Sequence, residues 1–223
     1  MQRDIHQDVL NKLEQAVEFY TISPEEGASV GADITEENPV QCVRIPGGWR
    51  VYISKELNNM EQAEAAAYEL GRLLLKAEGL YLVNLGENWI EEYLARSMND
   101  VIIDHFVVER LRADYAIGND LMVKLKRRVL ENAKELIAEY EDETTMLYGV
   151  GLRLLNLASI SIEDEYKVEE VINLSDRVKK AYQLGDELLI YPEHTISPEE
   201  QWSRISKFLE KLGYDAEKAR LSQ

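Results

Sequence analysis

A single cysteine, Cys42, stands among the 223 residues, so no disulfide can close within the chain. That fits a reducing compartment. Cys42 falls in an apolar, strand-like run, where a buried structural thiol is expected. No apolar stretch reaches the roughly 18 residues that a membrane-spanning helix needs. The opening residues, Met1-Gln2-Arg3-Asp4-Ile5, lack the apolar core of a secretory signal. A cytoplasmic location without membrane attachment is therefore the expectation. Positive charge is scarce: 25 Lys and Arg face 42 Asp and Glu, for a net charge of −17. Such a surface repels phosphate backbones, which argues against a nucleic-acid partner. The densest basic run, Lys124, Lys126, Arg127 and Arg128, has the spacing of a solvated helix face. There is no Cys-x-x-Cys pair, no Gly-rich phosphate loop and no Gly-x-Ser-x-Gly elbow. Gly149-Val150-Gly151 sits in a helical context with no strand before it and no Lys-Ser/Thr after it, so it has no phosphate role.

What is present describes a folded chain. Apolar residues make up 45% and charged residues 30%, with twelve Tyr and three Trp, which excludes a disordered chain. The pattern predicts an α+β fold, predominantly helical, with a small antiparallel β-hairpin packed on a central helix and a helical C-terminal part. Ile5, Val9, Leu10, Leu13, Val17 and Phe19 predict a first helix over residues 4–20. Ser23-Pro24-Glu25-Glu26 offers a cap, but Gly27 and Gly31 follow, so only a turn is expected. Two β-rich runs, 40–45 and 49–53, flank Pro46-Gly47-Gly48 and predict a hairpin. Helices are predicted over 60–78 (ended by Gly79), 87–97, 99–115, 120–140, 144–158, 164–184 and 198–212. The hexapeptide Thr-Ile-Ser-Pro-Glu-Glu occurs at residues 21–26 and again at 195–200, with flanks that do not match. That is reuse of a capping solution, not a duplicated domain. A soft boundary near residue 118 separates a mixed part, 1–118, from a helical extension, 119–223, the two packed as one unit.

The informative stretch is Ala65-Ala66-Ala67-Tyr68-Glu69-Leu70-Gly71-Arg72. In an H-E-x-x-H helix, two His one turn apart grip Zn²⁺, and the Glu between them polarises the zinc-bound water. Here Tyr68-Glu69-Leu70-Gly71-Arg72 stands where His-Glu-Leu-Gly-His would stand. The segment resembles the zincin-like metallopeptidases over roughly residues 38–115, with both zinc-binding histidines replaced. The order of elements adds to the resemblance: a strand over residues 49–54, as the sheet-edge strand precedes the site in that family, then a polar link, then the Glu-Leu-Gly helix, then a further helix. The resemblance makes Glu69 a vestigial catalytic residue, with Tyr68 and Arg72 in the ligand positions. Tyr is a rare zinc ligand and Arg an unrealistic one, since its cation repels the metal. No metal or other cofactor is expected. The Arg72 guanidinium can instead pair with Glu69 or another carboxylate and replace the metal's charge. Gly71, which costs a helix interior about 1 kcal/mol relative to Ala, admits either a close backbone or ligand, or tight helix packing.

Asp104 and His105 interrupt the apolar run of residues 101–108, and buried polar groups must find partners. His105 and Glu109 lie one turn apart. Zincins take a third ligand or a support residue from a second helix, so Asp104, His105 and Glu109 are the candidates for that place. The plain alternative is a core histidine bonded to a neighbouring acid. His6, on the first helix, and His194, in a loop, are expected at the surface. Three functional readings follow. One is an inactive peptidase-like module that binds an extended peptide or protein partner, as an added strand on the hairpin edge. Another is a helical interaction or regulatory protein unrelated to peptidases. The third is a hydrolase with a rebuilt site of Glu69, His105 and Tyr68. Oligomeric state stays open.

Overall fold

The computed structural model describes residues 4–86, 88–191, 197–216 and 219–222. It falls into two compact units, residues 1–78 with 107–122 and residues 79–106 with 123–223. The described residues are predominantly helical with small sheets, the α+β class that the periodicity predicts. None of their helices is long and apolar enough to cross a membrane.

In the first unit, helix α1 spans Ile5–Leu13, and the Asp4 carboxylate caps it by accepting from the His6 and Gln7 amides. The helix predicted through residue 20 stops short. Glu14 turns left-handed at φ 52°, and Ala16–Ile22 becomes strand β1. Val17, Phe19, Tyr20, Thr21 and Ile22 are β-branched or aromatic, and a neighbouring strand outbids their helical spacing. Helix α2, Pro24–Val30, forms where only a turn is predicted, because Ser23 and Glu26 close a full capping box. Strands β2, Val40–Ile45, and β3, Gly48–Ser54, form the predicted hairpin. Gly47, at φ 86°, follows Pro46 as the positive-φ residue of a type II turn requires.

The sheet order is β1-β3-β2, with β1 parallel and β2 antiparallel to β3. Residues 49–54 are therefore central, not the sheet edge that the family resemblance implies. Gly48 makes this possible: a Cβ there would lie 2.2 Å from the Ala16 carbonyl oxygen. Helix α3, Asn59–Ala77, starts at a capping box of Asn58 and Glu61 and packs against α1, β2 and β3. Residues 107–115 of helix α4, Trp89–Tyr115, complete this unit. Gly71 resolves to tight helix packing, since a Cβ there would lie 2.7 Å from Cγ1 of Val107. The Glu64 carboxylate accepts the Leu121 and Met122 amides, at 2.9 and 3.2 Å, in the first turn of helix α5, Asp120–Glu139.

In the second unit, α4 runs unbroken where the pattern predicts two helices. Asn99 does not cap, because its side-chain amide is committed to the backbone of Val83, at 2.8 Å to N and 2.9 Å to O. Helix α6, Thr144–Ile160, leads through a 3₁₀ turn, Ile162–Asp164, to helices α7, Glu165–Ile172, and α8, Asp176–Leu188. The single helix predicted over 164–184 is thus divided, and Ser175 caps its second half at the Val178 amide. Helix α9, Pro198–Leu212, matches its prediction. Ala133, Leu147, Val150, Leu154, Leu157 and Val168 form the buried core. Strands β4, Leu82–Asn84, and β5, Arg220–Ser222, pair antiparallel. Neither is predicted, being too short to show periodicity. The buried Gln201 amide grips the peptide of Tyr81, at 3.0 Å to N and 2.9 Å to O, much as Asn99 grips Val83.

Candidate functional site

Helix α3 carries Tyr68, Glu69 and Arg72 in the first unit. Tyr68 and Glu69 are buried. Arg72, one turn on, keeps 45% of its side chain exposed and places Nη1 3.1 Å from Oε1 of Glu69. The ion pair suggested by their spacing therefore forms. Burial pushes the Glu69 carboxyl up, and Arg72 pulls it only part of the way back.

Cys42 on β2 lies in the field of the same group. Burial pushes its thiol up to about 12, Glu69 adds to the rise, and Arg72 and Lys76 oppose it. A thiol held protonated is a poor nucleophile at neutral pH. Trp49 on β3 stands directly across the ladder from Arg44 of β2. The Arg44 guanidinium carbon lies 5.1 Å, and Lys76 Nζ 5.2 Å, from the centroid of the Trp49 ring. Both contacts are within cation–π range. Among the described residues, neither Arg44 nor Lys76 meets a carboxylate, and the buried Nε1 of Trp49 has no acceptor. Arg44, Arg72 and Lys76 therefore bring three cations around Trp49 and Cys42, with Arg72 held by the carboxylate of Glu69.

Hydrogen-bond parity shows which backbone groups of β2 face outward. The Ser54 amide donates to the Pro39 carbonyl at 2.7 Å, in continuation of the β2–β3 register. Closely bonded pairs alternate along an antiparallel ladder. Gln41, Val43 and Ile45 thus turn their N–H and C=O groups toward β3. Val40, Cys42 and Arg44 turn theirs toward the open edge. Among the described residues, no partner takes these outward groups. Side chains directly across a ladder share a face, so Cys42 and Arg44 lie on the Val51 and Trp49 face. Gln41 and Val43 lie on the other, where Val43 packs with Ala32, Ile34 and Tyr52.

The second sequence stretch has different surroundings. Asp104, in the second unit, is buried on α4. Its Oδ2 accepts from Lys126 Nζ and from Asn156 Nδ2, each at 2.7 Å. Burial pulls the Lys126 ammonium down, but Asp104 and Asp100 more than offset it, so its pKa ends raised. Lys126 is therefore not part of the solvated helix face that the basic run suggests, whereas Arg127 stays 42% exposed with its Nε 2.6 Å from the buried Asp164. The ring of His105 places Nε2 2.9 Å from the Tyr191 carbonyl oxygen, so Nε2 carries the hydrogen and donates. Nδ1 is buried, with no partner among the described residues. Glu109, in the first unit, pairs with Arg112 at 2.6 Å. His6 lies on α1 with its ring 5.6 Å from that of Phe19, and His194 lies outside the described residues. Among the described residues, no three His, Cys, Asp or Glu side chains converge as a metal site would require. Residue spacing alone does not reveal Arg44, Trp49 and Lys76 as a group, because β2, β3 and α3 must first be brought together. Comparison with protein-family models, with curated proteins and with solved structures finds no match to this chain.

Proposed function

We propose that this protein is a peptide-binding module on a metallopeptidase-like scaffold without hydrolytic activity, and that it takes an extended peptide as an added strand on β2. The observation that supports this most is the outer edge of β2, where Val40, Cys42 and Arg44 offer alternating N–H and C=O groups that are unpaired among the described residues, beside α3. Strand addition needs such a row of groups. The peptidase-like part of the reading rests on the resemblance of Tyr68-Glu69-Leu70-Gly71-Arg72 to the zincin helix. In active members of that family, zinc supplies the Lewis acid and the activated water. The residues here do not fit zinc. Arg72 brings a permanent cation to one ligand position, and its guanidinium already holds the Glu69 carboxylate. Glu69 is thereby a buried ion-pair partner rather than a base facing water, and Cys42 is no substitute nucleophile.

The test separates edge pairing from other modes of binding. Proline is tolerated where an edge strand's N–H faces outward. Cys42→Pro therefore deletes one outward donor and leaves the β2–β3 ladder in place, while Cys42→Val keeps the donor. Against an array of extended peptides, binders of the unaltered chain should be lost with Cys42→Pro, retained with Cys42→Val, and recovered uncleaved after prolonged incubation. Cleavage abolished by Glu69→Gln would replace this reading with that of a hydrolase. An array with no binder would leave the helical interaction protein unrelated to peptidases.

A further inference from the structure

We infer that the β2 edge selects acidic peptides, with Arg44 and Lys76, backed by Arg72, forming a carboxylate subsite beside Trp49. The inference rests on the strand-addition reading and names the class of partner that the edge takes. Charge is the first ground. The chain carries −17 overall, yet Arg44, Lys76 and Arg72 gather on the α3-facing side of β2 and Trp49. In a chain so rich in acids, cations ordinarily find carboxylates, as Arg50 finds Glu18 and Arg110 finds Glu78. Arg44 and Lys76 instead both rest on the Trp49 ring. Holding two like charges against one ring costs repulsion, which an incoming anion relieves. Arg72 adds to the positive field, although its guanidinium is engaged with Glu69.

Register is the second ground. Arg44 is one of the three β2 residues whose backbone groups face outward, so an added strand pairs with it directly. The peptide residue opposite Arg44 projects onto the same face as Arg44, toward the side that holds Trp49 and Lys76. The residues opposite Cys42 and Val40 project there too, beside apolar neighbours. An antiparallel peptide would therefore read acidic-x-apolar-x-apolar from its N-terminus. The intervening side chains fall on the opposite face, with Gln41 and Val43. The anion is an acidic side chain, because in this antiparallel register the peptide's C-terminus lies at the Val40 end, away from the guanidinium and the ammonium.

The experiment uses the full chain and fluorescently labelled, end-blocked peptides of alternating threonine and valine. A single glutamate, glutamine or lysine stands opposite Arg44. The glutamate peptide should bind at least about tenfold more tightly than the glutamine peptide, and the lysine peptide most weakly. Raising the salt from about 0.05 to 0.5 M should erase most of that preference. Arg44→Ala and Lys76→Ala, both at exposed positions, should each weaken the glutamate peptide more than the glutamine peptide and so reduce the preference for glutamate. Equal binding of all three side-chain variants would overturn the acidic selectivity while leaving strand addition standing. Binding of none of the peptides would overturn both.

Discussion

Glu69 takes a carboxylate into an apolar helix face with the half-exposed Arg72 as its ion-pair partner. Its pKa is raised, because desolvation exceeds the pull of that partner. The folded state then binds the proton more tightly than the unfolded state does. Stability falls as pH rises through the window between the ordinary carboxylate value near 4.5 and the raised one. Glu69→Gln, which keeps an acceptor for Arg72, should therefore be more stable than the unaltered chain at pH 7. The difference should shrink as the pH approaches 4. Urea unfolding at several pH values checks the sign, and a variant less stable at pH 7 contradicts it. Ala116 makes a second residue-scale case. It closes α4 at φ 56°, and the Ile117 amide donates back to the Leu111 carbonyl at 3.0 Å. Ala116 thus holds the left-handed position after a helix end that glycine ordinarily fills. Ala116→Gly should raise stability by about 0.5 kcal/mol, the left-handed penalty less the entropy cost of glycine. The Glu69–Arg72 pair is legible in the sequence because three residues on a helix always bring side chains together. The left-handed Ala116 is not, because nothing in Tyr115-Ala116-Ile117 marks it.

Among elements, the helices with clear end signals are legible. The helix after Asn58 and the helix after Ser197 start where capping residues stand and stop one or two residues before Gly79 and Gly213. Strand β1 is hidden, since Val17 and Phe19 also fit the helical period of α1 and only pairing with β3 decides between the two. Gly48 is the residue on which that pairing turns. Gly48→Ala would force its Cβ against the Ala16 carbonyl, and should cost about 1–3 kcal/mol, read as a lowered urea midpoint. In the second unit, α4, α5 and α6 are tied by Asp104, Lys126 and Asn156. Removing one charge strands the other in the core. Lys126→Met should therefore cost about 3–5 kcal/mol, whereas Asp104→Leu combined with Lys126→Met should cost less than that single change. A double variant less stable than Lys126→Met would show that the network contributes more than mutual neutralisation.

For the molecule as a whole, composition indicates a folded, acidic, mostly helical chain, and that much survives into three dimensions. At −17, self-repulsion opposes the compact state. Adding about 0.2 M sodium chloride should therefore raise the thermal midpoint, a result that scanning calorimetry checks. The candidate site was less legible than the fold. The sequence displays Glu69 and Arg72, but the exposed edge beside them depends on which β2 residues face β3, and that parity exists only once the register is set. Strand addition on β2 requires an edge that is open and ready to pair. Amide hydrogen exchange, followed residue by residue along β2, tests it most directly. The amides of Val40, Cys42 and Arg44 should exchange far faster than those of Gln41, Val43 and Ile45. Equal protection of both sets would mean that the edge is already covered, and strand addition there would be contradicted.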